Sequence, residues 1–227
     1  VQHHLAACSG DGVPARASDA YVTQVFDSFA ASFDAKLAKL HYRAPEAVTE
    51  ALRRVLPAPA RQLAIADLGC GTGLCGPLLA AWAQRLVGCD LSAAMLELAR
   101  QRGVYDELEK AELLQYLQAH VCAFDVLVSA DTLVYFGVLE DVSKAARRAL
   151  TPGGHFVFSV EALPEADAAD YRLLGHGRYA HSRGYLESTL AAAGLQRLAI
   201  DAEVLREEAG RPVHGWVVSA TRPVSEQ

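Results

Sequence analysis

No apolar run in this sequence approaches the roughly 18 residues that a membrane-spanning helix needs, and no basic block is longer than Arg147-Arg148. The first absence argues against a helical membrane span. The second, with 21 Lys and Arg against 27 Asp and Glu and a net charge of −6, argues against non-specific nucleic-acid binding. Val1-Gln-His-His has neither a charged leader nor a long apolar stretch and does not read as a secretory signal. Nor does the chain begin with Met, which reads as a piece of a longer protein or a trimmed chain. The five cysteines (Cys8, Cys70, Cys75, Cys89, Cys122) are an odd number with no Cys-x-x-Cys, and the histidines do not cluster. Reduced core or turn cysteines, a cytoplasmic setting and no metal site are therefore expected.

Residues 62–92 carry the strongest pattern. Leu63 to Leu68 reads as a buried parallel strand and Leu74 to Ala83 as the helix after it. The turn between them is nearly all glycine, which lets a backbone approach a ligand closely and aims free N–H groups at it. A second strand, Arg85 to Asp90, ends in a carboxylate able to accept hydrogen bonds from both hydroxyls of a ribose. The stretch describes a nucleoside-binding half-sheet. Gly71-x-Gly73-x-x-Gly76 with Asp90 also satisfies the dinucleotide fingerprint, so an NAD(P)-dependent oxidoreductase stays open at this point. Asp67, two residues ahead of Gly69, favours a cationic ligand over a diphosphate, because like charges there repel.

Asp67-x-Gly69-x-Gly71-x-Gly73 resembles the nucleotide motif of the class I S-adenosylmethionine-dependent methyltransferases. That resemblance implies S-adenosyl-L-methionine as cofactor, S-adenosyl-L-homocysteine as product, and a Rossmann-like α/β fold. Its seven-stranded, mainly parallel sheet would end in an antiparallel hairpin. The expected division is a stub and linker over 1–19, a helical cap over 20–59 and the Rossmann-like domain over 60–227. Tyr21 to Leu40 has apolar residues at helical spacing, whose default place is against the sheet edge. Phe26-Asp27-x-Phe29-Ala30-x-x-Phe33-Asp34 is similar to the cofactor-capping segment of many small-molecule methyltransferases. With Leu40-His-Tyr42-Arg43-Ala-Pro45 it is similar to the methyltransferase domain that follows tetratricopeptide repeats in some proteins. Residues 1–10 would then be the stub of a last repeat helix, the upstream repeats lying outside this chain, since no 34-residue period is present.

By resemblance, Arg43 would clamp the cofactor's carboxylate. Pro45 opens a helix through Leu56, ended by Pro57-Ala-Pro59. Ser92 is the expected N-cap of a helix over residues 93–102, with Leu91 and Met95 toward the adenine. The third strand falls within Val104 to Glu112, and Glu112-Leu113 stands where the family often has an adenine-binding Asp. The fourth strand, Phe124 to Ser129, presents Ser129, Ala130, Asp131, Thr132 and Tyr135 beyond its carboxyl end. Thr151-Pro152-Gly153-Gly154 turns into a fifth strand, His155 to Val160, with His155 structural and Glu161 at the ligand end. Residues 162–181 read as an irregular lid carrying His176, Arg178, Tyr179 and His181 toward the substrate. A helix over 184–193 and a hairpin, Gln196 to Arg206 with Val213 to Thr221, complete the chain. No residues remain for the further βαβ crossover and substrate domain of a dehydrogenase.

A sulfonium methyl is already electrophilic, so such a protein mainly aligns a nucleophile and excludes water. The expected cofactor set is Asp67, Gly69, Cys70, Gly71, Gly73, Asp90, Leu91, Met95, Glu112, Leu113, Ser129, Ala130, Phe26, Phe33 and Arg43. A hydroxyl acceptor would need a base or hydrogen-bonding group from His176, His181, Glu161 or Tyr135; a carboxylate or amine acceptor would need none. The acceptor is a small-molecule or carrier-bound substrate. A domain that binds the cofactor without turnover, as an assembly partner, is the alternative from outside the enzyme classes.

Overall fold

The apolar runs of the sequence become the centre of a sheet in the computed structural model, which describes residues 2–56 and 58–224. Pro57, part of the expected helix stop, lies outside the described residues. β1 (Leu63–Leu68) pairs in parallel with β2 (Ala83–Asp90) on one side and β4 (Phe124–Ser129) on the other. β3 (Glu107–Lys110) lies outside β2, and β5 (Leu150–Ala162) outside β4. β9 (Arg211–Thr221) runs antiparallel to β5, with β8 (Gln196–Glu208) antiparallel beyond it. This is the Rossmann-like class I methyltransferase topology, mainly parallel with an antiparallel hairpin at its end.

Alternate residues of the inner strands point to opposite faces, and both faces are covered, hence their near-continuous apolarity. Ile65, Val126, Val157 and Val217 meet Val48 and Leu52 of α4 (Ala44–Val55). Leu127, Phe156 and Val218 meet Leu117 of α7 (Leu113–Ala119), Val142 of α8 (Glu140–Ala149) and Leu186 of α9 (Arg183–Ala192). α6 (Ala93–Gln101), capped by Ser92 through the Met95 N–H at 3.1 Å, follows β2.

Several expectations change. The helix after β1 is a single turn, α5 (Gly76–Leu79), because left-handed glycines occupy the chain up to Gly73 and β2 already begins at Ala83. β3 is a four-residue strand of mostly exposed charged side chains, which suits a sheet edge. The Pro-Gly-Gly turn is a bulge within one long strand, with Leu150 opposite Phe124 and His155 opposite Val126. The segment 162–181 holds two short strands, β6 (Tyr171–Leu173) and β7 (Tyr179–His181), so the sheet has nine strands among the described residues rather than seven. β7 pairs with Glu161 and Ala162, beyond the point where β4 has ended.

The N-terminal residues also differ from a free stub and linker. α1 (Gln2–Ser9) packs Ala6 against Leu173 and Tyr179, and His3 Nε2 lies 2.8 Å from the Gly177 carbonyl. Ala15 accepts from the Gly137 and Val138 amides and Ala17 donates to the Tyr135 carbonyl. α2 (Asp19–Phe29) and α3 (Phe33–Lys39) have no buried residue at all, so their apolar stripe is not spent on the sheet edge. Among the described residues, no helix is long and apolar enough to cross a membrane.

Leu52, fully buried between α4 and the sheet, tests this packing. Leu52→Ala should lower unfolding free energy by about 2–5 kcal/mol in urea titration, with the secondary-structure spectrum of the folded protein retained.

Candidate functional site

The carboxyl ends of β1, β2 and β4 open onto a crevice of about 290 Å³, roofed by α2 and α3. Its floor is the turn after β1. Gly69 and Gly73 take φ of 68° and 80°, and a Cβ at Gly69 would lie inside the Thr132 side chain. Non-glycine residues would be strained here whatever the space. The Gly71 N–H donates to Asp90 Oδ2 at 2.9 Å and the Ser92 N–H to Oδ1 at 2.8 Å, which fixes Asp90 at the end of β2. Each of its oxygens retains acceptor capacity toward the crevice.

Two further carboxylates face the same space. Asp67 is 1% exposed and accepts one hydrogen bond, from the Tyr105 hydroxyl at 2.6 Å. Burial raises its pKa to about 7; the Tyr105 bond opposes the rise and Asp90 adds to it. Glu112 caps α7 through the Gln115 N–H at 2.9 Å using Oε2. Its Oε1 is buried without a hydrogen-bond partner, and Arg16 Nη1 stands 3.8 Å away. The crevice thus presents a carboxylate short of a cation, a fixed carboxylate at the end of β2, and a buried acceptor short of a donor. An ammonium, a pair of hydroxyls and an amino group are the chemistries that match these three.

The roof is pinned by its own acids. The Ser92 hydroxyl donates to Asp27 at 2.5 Å. Asp34 accepts from the Thr72 hydroxyl and from Arg102, both at 2.6 Å, and Arg102 Nε reaches the Thr72 carbonyl. These contacts hold Phe26, Phe29 and Phe33 with Tyr135 as a set of rings, their centroids 5.6–5.9 Å apart where they meet. Their faces suit a sulfonium.

Asp67, Gly69, Cys70, Gly71, Asp90, Leu91, Glu112, Leu113, Ala130, Phe26, Phe33 and Tyr135 all line the crevice. Gly73 shapes the turn from beneath, packed on Tyr105. Met95 is fully buried core, and Ser129 is spent on the Leu68 carbonyl at 3.0 Å. Arg43 is exposed and away from the crevice, its amide bonded to the Leu205 carbonyl; its place is taken by the start of α4. Of the cysteines, Cys70, Cys75 and Cys89 are buried, whereas Cys8 and Cys122 are exposed rather than core.

The expected bases change most. His181 is fully buried on β7, 3.1 Å from the Gly137 carbonyl, and burial holds its pKa down to about 4. His176 lies outside the crevice, 3.3 Å from Glu161. Glu161 is buried; burial alone would raise its pKa, but His176, Arg206 and Arg178 together bring it down to about 2. It is a committed counter-ion. Tyr135 reaches the crevice, yet burial pushes its hydroxyl up to about 12, so it serves as a donor.

Arg16, Arg206 and Glu208 are among the lining residues that were not expected. Arg16 sits in the supposed linker. A signal for the other two exists in the sequence pattern. β8 is two antiparallel steps from β5 and so runs parallel to it, which brings its own carboxyl end, Arg206 to Glu208, to the ligand side of the sheet. Asp131, at φ 51° just past β4, is bonded to Ser159 at 2.9 Å and to Arg206 at 2.8 Å.

This arrangement is that of a class I nucleoside-binding methyltransferase site. Residues 66–158 match a methyltransferase domain family. An S-adenosylmethionine-dependent methyltransferase from Mesorhizobium loti is 31% identical, with a TM-score of 0.59, over 78% of this chain and 98% of that one. The chain belongs to the S-adenosylmethionine-dependent methyltransferases, and the nicotinamide reading falls. It is similar to human methyltransferase-like protein 27, 38% identical over 91 residues, 40% of this chain. It is also similar to the biotin biosynthesis bifunctional protein BioHC of Saccharophagus degradans, 28% identical over 239 residues, 95% of this chain. It spans only 37% and 38% of those two relatives' lengths.

A buried acid that titrates near neutrality makes the site pH-dependent. Folded Asp67 keeps its proton up to about pH 7, whereas an unfolded Asp loses it near about 4. Stability of the ligand-free protein should therefore fall as pH rises across that window, by about 1.4 kcal/mol per unit at most. Binding of a ligand ammonium has the opposite sign. S-adenosylhomocysteine affinity, measured by calorimetry, should rise with pH, about tenfold per unit up to about 7, and Asp67→Asn should flatten the profile.

Proposed function

We propose that this domain transfers a methyl group from S-adenosylmethionine to a small-molecule or carrier-bound acceptor that is already nucleophilic when it enters the crevice. The observation that carries the reading is the set of unmet partners: Glu112 Oε1 without a donor and Asp67 without a cation, with Asp90 held between them. When bound, the cofactor supplies an electrophilic sulfonium methyl. Asp90 accepts from the ribose hydroxyls, Glu112 from the adenine amino group, and Asp67 pairs with the ammonium. Phe26, Phe29 and Phe33 exclude water and offer ring faces to the sulfonium.

The acceptor needs little activation from the chain. Among the described crevice residues, Tyr135 and Tyr42 have raised pKa values through burial, and Asp131 is tied to Ser159 and Arg206. Neither histidine from 162–181 lines the crevice. That favours a carboxylate or neutral amine over an unactivated hydroxyl. Similarity to a biotin-biosynthesis protein supports an acceptor from small-molecule metabolism. Reduced cysteines support a cytoplasmic setting.

Mass spectrometry of ligand co-purified with the protein, followed by transfer of labelled methyl from S-adenosylmethionine to metabolite pools, tests the reading. Asp90→Ala should weaken S-adenosylhomocysteine by about 2–4 kcal/mol. Wild-type protein that binds neither S-adenosylmethionine nor its product would sink the proposal. Tight binding with no methyl transfer across carboxylate and amine pools would favour a cofactor-binding assembly role instead.

A further inference from the structure

At the end of the crevice away from Glu112, two guanidinium groups share one exchangeable carboxylate. Arg206 is 4% exposed and is held by Asp131 through Nη1 at 2.8 Å and by Glu161 through Nη2. Arg178 donates to Glu161 from Nε at 2.6 Å. Asp131 and Glu161 are therefore fixed counter-ions, two acids for two arginines. The third acid differs. Glu208, on the carboxyl end of β8, has a side chain one-third exposed and uses a single oxygen, Oε1, for both arginines. That oxygen lies 2.5 Å from Arg178 Nη2 and 2.8 Å from Arg206 Nε. Its Oε2 and Arg178 Nη1 make no hydrogen bond among the described residues.

The chemistry of that seat is shown by what occupies it: a carboxylate oxygen bridging two guanidinium groups. Such bonds are charge-assisted and favour an anion over a neutral head, while a cation meets two positive groups. Glu208 gains little by staying, because a part-exposed pair held through one oxygen is weak. The surroundings fix the rest of the ligand. Arg178, Arg206 and Glu208 line the same crevice as Phe29, Leu37 and Leu40 of the roof. Apolar side chains of the roof thus stand in the same crevice as the two arginines.

We propose that the acceptor substrate is a carboxylate with an apolar body, and that its carboxylate displaces Glu208 from the Arg178–Arg206 seat. This rests on the methyltransferase reading for its role as acceptor, although the seat itself does not. Glu208 acts as a built-in stand-in, filling the donors Arg178 Nη2 and Arg206 Nε that Asp131 and Glu161 leave over and narrowing the choice of ligand to those able to compete with it.

Octanoate, octylamine and octan-1-ol carry one chain with three heads and separate the possibilities. Calorimetry with each, in the presence and absence of S-adenosylhomocysteine, should show octanoate binding in preference to the other two. Glu208→Gln removes the competing charge, and should tighten octanoate about fivefold. Arg178→Gln leaves Arg206 to hold Glu161, and should weaken octanoate about tenfold. Equal binding of the three probes, preference for octylamine, or unchanged octanoate affinity in Glu208→Gln would overturn the proposal. S-adenosylhomocysteine binding with no octanoate preference removes this inference alone. Octanoate preference with no S-adenosylhomocysteine binding removes the methyltransferase reading and leaves the seat standing.

Discussion

The bond from the Gly71 amide to Asp90 is the constraint on which the site depends. It joins the turn after β1 to the end of β2, two strands that are already neighbours in register from Ala64 to Leu68. The turn reaches Asp90 only because its glycines accept left-handed backbone, and Gly69 passes so close to Thr132 that no side chain fits. With the turn in that shape, the Gly69 and Cys70 amides donate to the Cys89 carbonyl and the Gly73 amide to the Cys70 carbonyl, so these N–H groups are spent within the protein rather than free as expected, and the neighbouring Asp67 is buried. A carboxylate placed there without a cation is costly, and its pKa near 7 expresses that cost. The folded chain is thus built around a buried acid with no cationic partner among the described residues.

The same logic recurs around the rim. Asp27 and Asp34, on the roof, are bonded to Ser92, Thr72 and Arg102 on the Rossmann-like side. The roof helices bury no residue of their own, so these polar ties and the ring cluster position them. Such contacts are individually weak in water, which suits a cover that must admit and release a nucleoside. At the far end, by contrast, Arg206 and Glu161 are buried, Asp131 is part-buried, and the three are mutually satisfied. That part of the wall is rigid, and only Glu208 in it is free to yield.

Legibility followed locality. Asp67, the glycines and Asp90 were readable because a strand end, a left-handed turn and the next strand end each have a signature within a few residues. Glu112 was readable by resemblance, and its orphaned oxygen supports the placement. Phe26 and Phe33 share a stripe that marks a helix face without saying what covers it. Arg43 and His181 were misplaced for opposite reasons: one is on the solvent side of α4, the other was drawn into the sheet when β7 paired with the end of β5. No pattern of alternation marked β6 and β7, each only three residues long, so a lid was expected where a sheet extension stands.

The sequence by itself determined where β1, β2, β4 and β5 fall along the chain, the glycine turn with the acids beside it, and the closing hairpin. Each of these is dictated by backbone conformation and apolar period over a short span. Tertiary structure alone decided which charges meet at the acceptor end. Arg178, Arg206, Asp131 and Glu161 come from four separate segments, and their pairing exists only once those segments are packed together and water is removed from between them.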